Sequence, residues 1–168
     1  MDIEEAIQMA IAYETRICDM YRETAAKLSD PAGQRTLQML GDDEQRHIDY
    51  LNDRLTMWQK EGRLSTEKLE SVIPSAETLK KGVEKVGEQV PEARRREASY
   101  LLNQALKMEI ETSAFYEKMV AELPDAGKDL FARFLEIEAN HIAAVQFELD
   151  YILKSGYWFD MKEFDLED

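Results

Sequence analysis

The chain predicts an all-α fold: a four-helix bundle with one long crossover between its second and third helices. Three observations carry that expectation. Apolar residues recur at alternating steps of three and four, as in Leu37, Leu40, Leu51, Leu55 and Trp58, which is the spacing of one helix face. The first half of the chain reappears in the second at an offset of 94 to 95 residues, so a helical hairpin occurs twice. Between the copies lies a stretch, residues 62–90, that is broken by Gly62, Pro74, Gly82 and Gly87 and closed by Pro91.

Taken in order, residues 2–28 form the first predicted helix. Asp2, Glu4 and Glu5 fall in its first turn, where negative charge complements the helix dipole. Its inward stripe is Ile3, Ile7, Ala10, Glu14, Ile17, Tyr21 and Leu28. Ser29 to Gly33 makes a compact turn, with Pro31 suited to the first position of the next helix. The second helix is expected over 31–61 and stops at Gly62. In the crossover, Leu64, Leu69, Val72, Ile73, Leu79, Val83 and Val86 suit short helical pieces lying on the bundle. Its length suffices, even partly helical, to span a helix of about 28 residues, roughly 42 Å long. A third helix is expected over 91–122, with Ala98, Leu102, Ala105, Glu109, Thr112, Tyr116, Met119 and Leu123 inward. After a turn at Pro124 to Gly127, a fourth helix covers 125–154 and ends at Ser155-Gly156. The tail, 156–168, is aromatic and acidic, and its rings are expected to pack on the bundle or on another subunit.

Length and composition bound the rest. With 168 residues the chain suits a single domain with a sizeable core. It has no long apolar run and no basic-then-apolar leader, so a protein with no membrane span and no export signal is expected. The single cysteine, Cys18, rules out an internal disulfide, fits a reducing cytoplasm and excludes any CxxC pair. A net charge of −14 argues against nucleic acid or anionic lipid as a partner.

The chemistry is concentrated in one short word spelled twice. Glu44-Gln45-Arg46-His47 and Glu138-Ala139-Asn140-His141 each place a carboxylate and an imidazole one helical turn apart on one face. They hold the only two histidines of the chain, and both pairs interrupt apolar stripes. Glu14 and Glu109 interrupt the stripes of the other two helices. Ionised carboxylates are rarely left in such positions without a cation or a proton to compensate them. A bundle in which two helices give one Glu each and two give Glu-x-x-His is the pattern of a carboxylate-bridged dinuclear metal site. Two divalent cations balance four carboxylates, and Glu with His favours iron or manganese over zinc. On this reading Glu44 and Glu138 bridge, Glu14 and Glu109 are terminal, and His47 and His141 bind one ion each. The two motifs are expected to be equivalent in kind. Tyr21 and Tyr116 lie seven residues after the terminal glutamates, where their hydroxyls can bond ligands on a neighbouring helix or simply pack in the core. Glu136 reads as solvated and Cys18 as a small buried hydrophobe.

Ala10-Ile11-Ala12-Tyr13-Glu14 with Tyr21, Asp43 to His47, Lys107-Met108-Glu109 with Phe115-Tyr116, and Glu136 to His141 together resemble the rubrerythrin branch of the ferritin-like superfamily. The resemblance implies a ferritin-like bundle with a non-haem di-iron centre of two iron ions per chain, manganese or zinc being the other candidates. It further implies two-electron reduction of hydrogen peroxide or dioxygen, and assembly as a homodimer. Members of that branch carry a rubredoxin-like iron site, for which this chain has no cysteine pair, so electrons are expected from a separate donor protein. They also tend to place a further carboxylate one turn before the third-helix Glu, where this chain has Leu106. The alternatives are iron storage in the manner of ferritin and an oxygenase acting on an organic substrate.

Overall fold

Asp2 opens the first helix by accepting a hydrogen bond from the Glu5 N–H at 2.9 Å, while the Glu5 carboxylate accepts from the Asp2 N–H at 3.0 Å. This reciprocal cap satisfies two donors that a helix start otherwise leaves orphaned. The computed structural model describes residues 1–65, 67–82 and 92–162. Among the described residues it contains α1 (Ile3–Lys27), α2 (Pro31–Glu61), α3 (Ala76–Lys81), α4 (Glu92–Glu122) and α5 (Asp125–Ser155), and no strand. The predicted third and fourth helices are therefore α4 and α5. Of the expected features, Pro91, crossover residues 83–90 and tail residues 163–168 lie outside the described residues.

Local chemistry sets the helix ends. The Asp30 side chain accepts from the N–H groups of Ala32 and Gly33, with Pro31 in the first turn of α2. Gly62 and Gly156 follow α2 and α5 in the left-handed conformation, at φ of 64° and 79°, which a residue with a Cβ adopts only under strain.

α1 packs on α2 and α4 on α5, giving two hairpins; α1 against α4 joins them, and α3 lies on α5. The interior is layered along the bundle axis. One apolar cluster takes Ile17, Tyr21, Leu40, Leu102, Ala105 and Val145. A second takes Ile7, Ala10, Leu51, Tyr116, Phe131 and Phe134. On every long helix the Glu or Glu-x-x-His falls between residues of the first cluster and residues of the second. A polar layer is thus sealed between two apolar plugs.

The crossover is held by side chains of the bundle that reach its backbone. The Tyr50 hydroxyl donates to the Glu67 carbonyl at 2.7 Å, Arg133 Nε to that of Leu69 at 2.9 Å, and Asn140 Nδ2 to that of Ile73 at 3.1 Å. Leu69, Ile73 and Leu79 are buried beneath it. Within the described part of the tail, Trp158, Phe159 and Met161 are buried on this chain's own bundle. Thr36 Oγ1 donates to the Phe159 carbonyl at 3.0 Å, and Arg35 pairs with Asp160 at 2.6 Å. No helix among the described residues is long and apolar enough to cross a membrane.

Candidate metal centre

The polar layer is built from four helices. α1 supplies Glu14, α2 Glu44 and His47, α4 Glu109, and α5 Glu138 and His141, all with zero exposure. Each sits in the stripe that the 3,4 spacing defines, so burying the apolar face of each helix carries its carboxylate inward. Glu14, Glu44, His47 and Glu138 each offer a ligand atom within 4.8 Å of the others, and so do Glu44, Glu109, Glu138 and His141. Glu44 and Glu138 belong to both groups; the other four residues divide between them.

The two imidazoles are neighbours, with ring centroids 5.1 Å apart and planes tilted by 31°. Glu44 lies between them: its Oε1 is 2.8 Å from His141 Nδ1 and its Oε2 is 3.1 Å from His47 Nδ1. Glu14 Oε2 is 3.2 Å from His47 Nδ1, and Glu109 Oε1 is 3.5 Å from His141 Nδ1. Both rings therefore turn Nδ1 towards the glutamates. Each tyrosine reaches across to the other hairpin. The Tyr21 hydroxyl donates to Glu109 Oε1 at 2.6 Å, and the Tyr116 hydroxyl donates to Glu14 Oε1.

Electrostatics sorts the carboxyls. Burial raises Glu44 to about 8, helped by the charges of Glu14 and Glu109. Burial likewise holds Glu138 well above the carboxylate range, with Glu109 and Glu14 next in weight. Glu14 goes the other way: burial disfavours its charge, but the hydrogen bond from Glu44 and the His47 ring bring it down to about 2. Both histidines are raised despite burial, because Glu14 and Glu44 face His47 and Glu44 faces His141. Proton uptake by these groups is what a polar layer of this kind requires when no cation neutralises it.

Among the described residues Glu44 Oε2, Glu109 Oε2 and both oxygens of Glu138 have no hydrogen-bond partner in good geometry. Unsatisfied buried carboxylate oxygens are costly, and their convergence with imidazole nitrogens is the donor set that a divalent ion satisfies. The residues fit a pair of such ions.

Sequence reasoning assigned no role to Asp43. It is fully buried beside the layer, and its Oδ2 is 2.7 Å from His141 Nε2. Arg46 donates to Asp43 Oδ1 at 2.7 Å and Ser71 Oγ to Oδ2 at 2.8 Å, so the crossover also rests on this carboxylate. The available signal was position, four residues before His47 and so on the same face. Glu148 was also missed. It is buried two turns beyond His141 and accepts the Phe159 N–H at 2.6 Å, which makes it an anchor for the tail. Glu136 is exposed and paired with Arg133, and Cys18 is buried with its thiol 3.4 Å from the Gly41 carbonyl.

The family model for rubrerythrin matches residues 5–147, a span that includes every residue of the polar layer. Among curated proteins none matches the chain.

Proposed function

We propose, since the chain belongs to the rubrerythrin family, that it is a non-haem di-iron oxidoreductase that reduces hydrogen peroxide with electrons from a separate donor protein. The observation that supports this most is the sharing of Glu44 and Glu138 between two four-residue groups, each completed by one Glu and one His. Glu44 and Glu138 would bridge two ions, Glu14 with His47 would complete one position, and Glu109 with His141 the other. Bound there, two iron ions supply together the two electrons that, with two protons, convert one peroxide to two waters.

The remaining work belongs to the chain. Tyr21 and Tyr116 hold Glu109 and Glu14 in place by hydrogen bonds, which fixes ligand direction before anything binds. The apolar plugs on either side exclude bulk water and so strengthen every charge interaction within the layer. The aromatic plug places Phe134 edge-on to His47, with ring centroids 5.7 Å apart.

Protein loaded with ferrous iron without oxygen and then mixed with peroxide tests the reading. One peroxide should disappear for every two ferrous ions oxidised. Loaded protein that leaves peroxide intact contradicts it, and iron uptake far beyond two ions per chain into a closed cage would support storage instead.

A further inference from the structure

The two halves of the layer are copies in their ligands but not in what holds those ligands. Asp43 and Ile137 occupy the same place in the repeat, each directly before its bridging glutamate, at the offset of 94 that relates Glu44 to Glu138. Asp43 reaches across to the histidine of the other hairpin, His141, with a 2.7 Å contact to Nε2. The pseudo-two-fold counterpart of that contact would run from position 137 to His47, and position 137 is a buried isoleucine. Among the described residues His47 Nε2 accordingly has no hydrogen-bond partner; the same Asp43 Oδ2 approaches it at 3.4 Å, beyond an ordinary hydrogen bond. One carboxylate serves two rings, and it serves them unequally.

Asp43 is itself firmly held. Arg46 bonds its Oδ1 at 2.7 Å, the Ser71 hydroxyl bonds its Oδ2 at 2.8 Å, and the Val72 N–H lies 3.4 Å from Oδ1. A fixed acceptor on Nε2 does two things for a ligating imidazole: it selects the tautomer that leaves Nδ1 free for the metal, and it stops the ring from turning. The His141 ring has both benefits, and the His47 ring has only the long 3.4 Å approach of the same carboxylate. The other supports are matched, since each terminal glutamate receives one tyrosine hydroxyl from across the bundle.

We propose that the two metal positions are inequivalent and fill in order, the one formed by Glu109 and His141 first, with Asp43 as the positioning residue that creates the difference. This rests on the dinuclear reading above and specifies how that site loads. It also ties loading to the crossover, because Ser71 holds the carboxylate that orients His141. Loss of such an outer partner typically lowers metal affinity about 10- to 100-fold, which sets the scale of the expected difference.

Shared bridging ligands make a second ion bind more weakly than the first even in a symmetric site, so the test isolates each half. His47→Ala leaves the Glu109–His141 position, and His141→Ala leaves the Glu14–His47 position. Each is titrated with cobalt(II), whose visible absorption reports both occupancy and coordination, and circular dichroism monitors the fold. Cobalt should bind His47→Ala about tenfold or more tightly than His141→Ala. Adding Asp43→Asn, which keeps the shape but removes the charge, should erase that advantage in the His47→Ala background and change the cobalt spectrum. In the His141→Ala background the same substitution should change affinity little. Equal affinities in the two single variants, a reversed order, binding lost in both, or an advantage that survives Asp43→Asn each overturn the proposal. Wild-type protein that binds no cobalt and no iron overturns the dinuclear reading, and this proposal with it.

Discussion

At the scale of single residues, Glu44 and Glu138 set the character of the layer. Both carboxyls are raised by burial first and by neighbouring carboxylates second, Glu44 to about 8. In the folded protein stripped of metal they hold protons that the unfolded chain gives up above their ordinary value of 4.5. That contribution to stability is complete below the ordinary value and is lost as pH rises towards 8. His47 and His141, also raised, act in the same direction above their ordinary 6.5. Glu14, held near 2, acts oppositely, and its stabilisation is lost only as pH falls from 4.5 through about 2. Chelated protein should therefore melt lower at pH 8.5 than at pH 6, and a rising melting temperature over that interval would contradict this electrostatic account. Replacing Glu44 and Glu138 together with Gln removes the buried charges and keeps the volume. In chelator at neutral pH the variant should melt above the wild type by at least ~3 °C, while failing to hold iron. A variant that melts well below would show that these carboxylates support the fold through ion pairs. The six residues of the layer were legible because charged groups in an apolar stripe are conspicuous, and the repeat displayed them twice. Asp43 was not, because its role depends on which ring of the opposite hairpin comes within reach, and that is a distance rather than a spacing.

At the scale of elements, the long helices begin and end within about a residue of where caps and breakers place them, since those signals are local. Two features were harder to read. The crossover around residues 67–73 is fixed by Tyr50, Arg133 and Asn140, whose hydrogen bonds reach it from distant parts of the chain. The tail could pack on this bundle or on another subunit, and what decides for the bundle is a recess at Gly33. A Cβ there would stand 2.6 Å from Trp158 Cε2, a contact that rigid ring atoms cannot relieve cheaply. Gly33→Ala should thus displace the indole, costing about 1–3 kcal/mol, with a red-shifted tryptophan emission as the direct sign. Unchanged emission and stability would mean that the tail does not depend on that recess. At the repeat partner, Gly127, a Cβ would meet the flexible end of Ile3 at 3.1 Å and Leu123 at 3.3 Å, longer contacts than that to Trp158, so alanine there should be milder.

At the scale of the whole molecule, the fold holds four carboxylates and two imidazoles in one buried layer, and the repeat makes that arrangement readable in the sequence. What the repeat concealed is its own imperfection, the isoleucine that stands where symmetry asks for a second aspartate. A site of this kind binds metal in the folded state and has no counterpart in the unfolded chain, so ions stabilise by mass action. Free metal at 100 times its dissociation constant adds about 2.7 kcal/mol, and the melting temperature should climb accordingly on titration with iron or manganese. A melting temperature indifferent to metal would place the ions outside the folded core. If this layer is a dinuclear metal site, as proposed, metal content should show it. Protein saturated with ferrous iron in the absence of oxygen, freed of loose metal and analysed for iron and polypeptide together, should carry close to two ions per chain, falling towards none in Glu44→Gln/Glu138→Gln. A wild-type chain that retains no iron, manganese or zinc under those conditions would contradict it.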